Sequence, residues 1–434
     1  MQATTPGDLS LWWQGLNDSL LSELMVEALQ ANPDLRSAQA KLREARARRV
    51  VAYSGRLPDV SVSGTASRTR SSRAVANGST NNLFSAGFDA SWELDVFGGV
   101  RRNIEAARAD LESTQASLEG TRVSLTAEVA LNYVEVRGLQ SRLGIARDNL
   151  ASQSETLQLT EWRAQAGLVG SQDVEQARSN REQTRALIPS LETSLAEAEH
   201  RLDLLLGHAP GTLHGRLAAP ASLPAVPAQI AVGIPADILR QRPDVRAAER
   251  TLAAETARVG VAEAARYPSF NLSGSIGLEA LTLGALDNGG ATTSSLLAGI
   301  TAPVFNAGRL RAQVELQDAV REQAQIAYEQ IVRSALQDVE NALVALARSH
   351  EREQALTAAA EAARNAALLA RNQYSAGLID FQSVLDTERN VLSVEDSLAS
   401  TRTDGMSALI RLYKALGGGW PSQTEAGPTG KHPT

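Results

Sequence analysis

The sequence predicts a mixed α/β membrane protein. Four long strands per chain close a barrel only by oligomerising, and very long coiled-coil helices continue it. Three observations carry this expectation. The stretch FSAGFDASWELDV (84–96) alternates apolar and polar residues without a break, the pattern of a strand whose two faces meet different solvents. The chain is an internal duplication, so each such segment has a counterpart. Residues 98–166 and 308–376 are dominated by Ala, Glu, Gln, Arg and Leu and contain no proline, the composition of long helices and coiled coils.

The duplication is read from matched segments. ANPDLRSAQ (31–39) returns as QRPDVRAAE (241–249), and RLPDVSVSG (56–64) as RYPSFNLSG (266–274). QAGLVGSQDV (165–174) returns as SAGLIDFQSV (375–384), and RLDLLLG (201–207) as RLYKALG (411–417). All four pairs share one offset of 210 positions, from 31 to 241 in the first case. After an N-terminal extension (1–17), the first repeat (18–207) opens with a helix over 18–54. Pro58 ends that pattern. Strands follow at about 58–68 and 84–96, parted by the turn-rich NGSTNN segment (77–82). A long helix (98–166), a turn at Gly167-Leu168 and a return helix (171–206) complete the unit. A linker at 208–234 carries Pro210, Pro220, Pro224 and Pro227 and reads as extended. The second repeat (235–418) has the same order: helix 235–265, strands 268–279 and 295–305, long helix 308–376, turn at Gly377-Leu378, return helix 380–416. A Gly-, Pro- and Thr-rich tail (419–434) reads as flexible.

At about 1.5 Å per residue each long helix spans on the order of 100 Å, more than a globular domain hides. Its apolar stripe is narrow, running through Leu310, Val314, Val320, Ala324, Tyr328, Ile331, Ala335, Val339, Leu343 and Leu346. Such a seam suits knobs-into-holes packing. A soluble coiled-coil scaffold would account for these helices. It would leave the strands with an exposed apolar face and open edges, an aggregation hazard. If the apolar face meets lipid, the 84–96 strand is roughly 43 Å long and rises roughly 33 Å at a 40° tilt, enough to cross an outer membrane. Every strand must then be paired on both sides. The smallest membrane barrels have about eight strands, so the chain must oligomerise, as a dimer or a trimer. Asp89, Glu93 and Asp95 would line a water-filled lumen, and Trp92 would sit in an interfacial belt.

Composition excludes other classes. The net charge of −7 and the scarcity of Lys argue against nucleic acid as a partner, and the chain has no cysteine for disulfide or thiolate chemistry. No apolar run of about 18 residues marks a transmembrane helix. The opening MQATTPGDLS has no basic and apolar regions of a signal peptide. The five histidines form no close i,i+4 pair, and no nucleophile–base set or phosphate loop is evident. No metal, cofactor or enzymatic activity is expected.

The segments NPDLR, PSFNLSG, PVFNAGRLRA, QYSAGLIDFQSVLDTER and the terminal RLYKALGGGW (411–420) resemble the outer-membrane factors, the TolC family, and among them the OprM-like efflux channels. The resemblance spans residues 12–420. It implies a homotrimer with a twelve-stranded outer-membrane β-barrel on a periplasmic α-helical tunnel. It further implies docking on a periplasmic adaptor (membrane fusion protein) that links the channel to an inner-membrane pump. A type I secretion channel uses the same architecture, and the KALGGGW ending argues modestly against it. OprM-like members commonly carry an acylated N-terminal cysteine, which this sequence lacks. The resemblance places the periplasmic gate on the second hairpin. There Asp386 matches a lumen-facing carboxylate, Arg389 its frequent partner one turn on, and Tyr374 the tip tyrosine. Asp173 matches the aspartate that bonds this tyrosine. A linking arginine of some members is replaced by Ile379, with Phe381 as the apolar substitute for closure. Gly167, Leu168, Gly377 and Leu378 are the turns expected to meet the adaptor. The exported compound is not named by any of these residues.

Overall fold

In the computed structural model, the described residues are 9–76, 78–224 and 241–418. The chain divides into two compact units: residues 1–39, 117–245 and 332–434 form one, and residues 40–116 and 246–331 the other.

The second unit holds the sheet. Strands β1 (Asp59–Arg70), β2 (Thr80–Leu94), β3 (Ser269–Ala280) and β4 (Thr292–Thr301) pair antiparallel in the order β1-β2-β3-β4. The register keeps like beside like. Val60, Val62 and Ala66 stand opposite Ala90, Phe88 and Phe84. Phe88, Trp92 and Leu94 stand opposite Ile276, Leu272 and Phe270, and Phe270 opposite Ile300. One face is therefore mostly apolar over the stretch from Leu94 to Phe84, and it is open: Val62 is 74% and Leu296 79% exposed. The other face carries hydroxyls, amides, carboxylates and glycines. Its cross-strand bonds include Ser63 to Asp89 (2.6 Å), Thr65 with Ser85 (2.6 Å) and Ser275 with Ser295 (2.7 Å).

Strand ends depart from the sequence expectation. β2 starts at Thr80 and stops at Leu94, so Asp95 is outside the strand and does not belong to the lumen set. Its carboxylate instead accepts the main-chain N–H groups of Val100 (3.0 Å) and Arg101 (2.9 Å). This caps the long helix α4, after Gly98 turns the chain at φ +84°. β4 ends at Thr301, so Val304 and Phe305 also lie beyond it. Pro303 has no N–H to give a ladder.

At the end of the sheet near Leu94, aromatic rings collect. Phe97 stacks on Tyr267 with centroids 4.7 Å apart and lies 6.3 Å from Phe270. The Trp92 indole N–H donates to the Arg56 carbonyl at 3.0 Å. This is the composition of an interfacial girdle.

Helices make up the first unit and also run through the second. The single helix expected at 18–54 is two: α1 (Ser19–Ala31) and α2 (Pro33–Ser54). Asn32, which precedes proline, is driven to an extended ψ of 128°. Its side chain accepts from Leu35 N–H (3.0 Å) and donates to the Leu205 carbonyl (2.8 Å). A short helix, α3 (Arg73–Ala76), sits between β1 and β2. α4 (Gly99–Gln165) and α5 (Ser171–Leu205) form the first long hairpin.

The start of the expected extended linker is packed: α6 (His214–Leu217) follows α5, Leu213 and Leu217 are buried, and Asp203 accepts from Gly211 and Leu213 N–H. Residues 225–240 and the tail 419–434 lie outside the described residues. α7 (Pro243–Ala264), α8 (Arg309–Ser375) and α9 (Phe381–Ala415) complete the second copy. The expected N-terminal extension is likewise packed from residue 9, with Trp12 stacked on Tyr413 at 5.1 Å. Among the described residues no helix is long and apolar enough to cross a membrane.

Gly87 and Gly277 face each other on the polar side. A Cβ on Gly87 would meet the Ile276 carbonyl oxygen at 2.7 Å, and one on Gly277 the Ala86 oxygen at 2.6 Å. Both obstacles are backbone, so they cannot swing aside. Gly87→Ala is expected to cost about 1–3 kcal/mol by overpacking and to reduce the yield of heat-resistant oligomer on semi-native gels. Gly64→Ala, where a Cβ meets nothing within 4 Å, is expected to stay within about 0.5 kcal/mol of wild type.

Candidate functional site

The two long hairpins turn by the same device. Gly167 (φ +73°) and Gly377 (φ +74°) occupy the left-handed position after α4 and α8. Leu168 N–H returns to the Arg163 carbonyl and Leu378 N–H to the Gln373 carbonyl, both at 2.9 Å. These are Schellman caps, which a side chain at the glycine would strain. Each cap leaves a leucine outward, Leu168 and Leu378. The copies differ just after the turn. Asp380 caps α9 by accepting from Ser383 N–H (3.0 Å) and its hydroxyl (2.7 Å), whereas Gly170 before α5 offers no side chain.

Beneath the turns is a compact apolar cluster of Leu157, Ala177, Ala370, Tyr374, Phe381, Val384 and Leu385, with Val169, Val174 and Ile379 packed against it. Phe381 is therefore inside the helix packing of its own chain. Its ring lies 5.4 Å from that of Tyr374. Across the Tyr374 ring sits the Arg163 guanidinium, 4.4 Å from the centroid, and Arg163 also donates to the Tyr374 carbonyl oxygen. This cation–π contact and the Phe381 ring together hold the Tyr374 ring in place. The Tyr374 hydroxyl is buried and has no partner among the described residues. Asp173, half-buried in the first turn of α5, does not accept from it within one chain.

Asp386 is exposed and accepts from Gln382 Nε2 at 2.9 Å. It does not pair with Arg389. Arg389 Nε instead donates to Asn180 Oδ1 on α5 at 3.0 Å. Asn180 is buried, and leaving a buried acceptor unpaired costs more than an exposed i,i+3 ion pair contributes. In the sheet, Asp89 and Glu93 remain on the polar face, both exposed.

A second polar group escaped the sequence reading. Glu388 is 5% exposed and accepts from the Thr156 hydroxyl at 2.6 Å. Arg371 lies 3.5 Å from the same oxygen and also reaches Ser152 and, at 3.6 Å, Glu155. Burial pushes the Glu388 carboxyl above its ordinary value, against the opposing pull of Thr156 and Arg371. The signal was in the spacing: Phe381, Val384, Leu385 and Glu388 follow i, i+3, i+4, i+7, so Glu388 occupies a slot of the buried stripe. Arg163 gave no comparable signal.

The chain is similar to known proteins over nearly its whole length. The family model described as outer membrane efflux protein matches residues 24–208 and again 234–418. Nodulation protein T of Rhizobium leguminosarum bv. trifolii is 33% identical over 439 aligned positions, covering 98% of this chain and 91% of that protein. The pyoverdine export outer membrane protein OpmQ of Pseudomonas putida is 34% identical, covering 95% of this chain and 89% of that protein. The solved structure of the outer-membrane channel OprN superposes with a TM-score of 0.92 at 37% identity, covering 96% of this chain and 95% of that one.

Folded Glu388 holds its proton to higher pH than the unfolded chain, whose ordinary value is 4.5. Above that value the folded state binds more protons, so its contribution to stability falls as pH rises through the folded pKa. Glu388→Gln is expected to raise the melting temperature at neutral pH and to flatten its pH dependence above 4.5. Thermal unfolding of both proteins across this range is the check, and an equally steep decline in the variant counts against the assignment.

Proposed function

The chain belongs to the outer membrane efflux protein family, and we propose that its paired turns at 166–170 and 376–380 form the gated, adaptor-docking end of the channel. The protein is the outer-membrane channel of an efflux system, with a periplasmic helical tunnel. Channels of this family are trimers that work with a periplasmic adaptor and an inner-membrane pump. Three copies of the four-stranded sheet give the twelve-stranded barrel, its apolar face in lipid and its hydroxyl-rich face toward water. Transport through such a lumen is passive, and the energy comes from the pump.

The observation that carries the gate is the buried Tyr374 hydroxyl without a partner among the described residues. An unpaired buried hydroxyl costs about 1–3 kcal/mol, so assembly that supplies an acceptor is favoured. Asp173 of a neighbouring copy is the acceptor proposed here. Asp386, exposed and not neutralised by Arg389, forms the acidic ring: three copies around a three-fold axis concentrate negative charge and favour cations. Arg389, through Asn180, and Phe381, through the Tyr374 ring, hold the helices that carry these groups. Leu168 and Leu378, raised by Gly167 and Gly377, are the apolar contacts offered to the adaptor.

Single-channel recording in planar bilayers tests the gate. Asp386→Ala is expected to reduce cation selectivity several-fold, and Tyr374→Phe to raise the resting conductance. Unchanged selectivity in the first variant would remove Asp386 from the pore ring. Unchanged conductance in the second would leave the hydroxyl without a role in closure.

A further inference from the structure

The apolar face of the sheet ends in opposite ways. Near Leu94 it ends in the aromatic group of Trp92, Phe97, Tyr267 and Phe270. At the other end it passes into arginine. Arg68 and Arg70 pair with Asn82 and Thr80 in the β1–β2 register. By the two-residue period they share the face of Val60, Val62 and Ala66. The apolar band on β2 runs from Leu94 to Phe84, about 33 Å along the strand and about 25 Å tall at a 40° tilt, the height of an outer-membrane apolar band. Arg68 and Arg70 are two and four residues past Ala66, the partner of Phe84. That places them about 5 and 10 Å above the band, at headgroup depth.

These two arginines are set apart by position: other arginines, such as Arg43 and Arg311, also lack a carboxylate partner among the described residues, but they lie on helices, whereas Arg68 and Arg70 stand on the apolar face of the sheet. Elsewhere the guanidinium groups are commonly tied to carboxylates, as in Arg142 with Asp396 and Arg258 with Asp110. Arg68 and Arg70 are exposed and make no ion pair among the described residues. The sequence gives them none nearby: no Asp or Glu occurs between Asp59 and Asp89, and Arg73 adds a third positive charge. A pair of arginines at headgroup depth on a lipid-facing surface is placed to meet an anion of the lipid layer.

We propose that Arg68 and Arg70 bind the phosphate groups of an outer-leaflet phosphorylated glycolipid. Guanidinium donates two parallel hydrogen bonds to a phosphate, which suits it to this role better than an ammonium. The residues stand one strand repeat apart on one face, so one headgroup with two phosphates spans both. The bound glycolipid would anchor the barrel at its outer rim, as the aromatic rings do at the inner one. The proposal rests on the lipid-facing assignment of this face.

The test is native mass spectrometry of the purified trimer with bis-phosphorylated lipid A, the same lipid stripped of phosphate by a phosphatase, phosphatidylglycerol, and inorganic phosphate as competitor. Wild type is expected to hold the bis-phosphorylated lipid about tenfold more tightly than the stripped lipid. The variant Arg68→Gln/Arg70→Gln is expected to bind both at the lower level, with Arg68→Lys/Arg70→Lys intermediate. Equal retention of the two lipids by wild type, or unchanged binding in the Gln variant, overturns the proposal. So does equal binding of phosphatidylglycerol, or displacement by millimolar inorganic phosphate, which would mark a general anion site. A Gln variant that dissociates into monomers without any lipid would instead assign the arginines to an ion pair with the acidic β3–β4 hairpin (Glu279, Asp287) of a neighbouring copy. The wild-type comparison decides even where the variant fails to assemble. Incorporation of wild type into lipid bilayers reports the membrane reading separately.

Discussion

Lipid offers the backbone no hydrogen bonds, and this one limit organises the molecule. In a single chain β1 and β4 each leave one side of the ladder unpaired. In water such edges would be solvated; in hydrocarbon each unpaired group costs several kcal/mol. The sheet must therefore close, and four strands do not suffice. Oligomerisation follows from the backbone before any side chain is considered. The side chains then agree with it. The register sets apolar residues beside apolar ones over most of the band in all three strand pairs, with Ser294 and Thr292 opposite Ile276 and Leu278 toward its far end. On the inner face, the paired glycines 87 and 277 remove the Cβ atoms that would collide as the strands draw together.

The duplication shows how one architectural demand is met by different chemistry. Asn32 and Arg242 occupy matching positions, each just before the proline that starts a helix. Asn32 donates to the carbonyl of Leu205, and Arg242 Nη1 to that of Ala415 at 3.1 Å. Both targets are the last residues of return helices, α5 and α9, where carbonyls lack helical partners. The longer side chain carries a charge, and it brings Asp244 and Asp338 to neutralise it. The same junction is thus neutral in one copy and ionic in the other.

What the sequence disclosed was periodic, and what it hid was local competition for partners. Alternation in 84–96 and its counterparts exposed the strands, because a period of two survives any tertiary context. The stripe from Leu310 to Leu346 was legible for the same reason, and its members are buried or half-buried along α8. Asp95 was misread because alternation continues through it, while two N–H groups of the next helix outbid the lumen for its carboxylate. Arg389 was misread because the sequence shows its neighbour Asp386 but not Asn180, 209 positions away. Phe381 resembled a pore plug, yet its spacing with Val384 and Leu385 already belonged to the buried stripe. The break at Asn32-Pro33 was legible in principle, since a residue before proline leaves the helical region.

The ends of the hairpins combine two kinds of packing that pull in opposite directions. Tyr374, Phe381, Val384 and Leu385 form a dry cluster that holds α8 and α9 together. Around it lie buried polar atoms with no partner among the described residues: the Gln153 amide, Asn180 Nδ2, Arg163 Nε and the Tyr374 hydroxyl. Glu388 adds a carboxyl raised by burial and met by one hydroxyl and a distant guanidinium. A partly satisfied polar network is less stable than an apolar core of the same volume. The cluster takes Leu157 and Ala177 from the first hairpin and Tyr374, Phe381, Val384 and Leu385 from the second, so apolar packing joins the two hairpins as well as the helices within each. Two polar bonds cross the same boundary, Arg389 to Asn180 and Arg163 to the Tyr374 carbonyl. The polar atoms left unpaired beside them lower the stability of this end of the hairpins relative to a wholly apolar core, and regions that move are drawn from the less stable end of a structure.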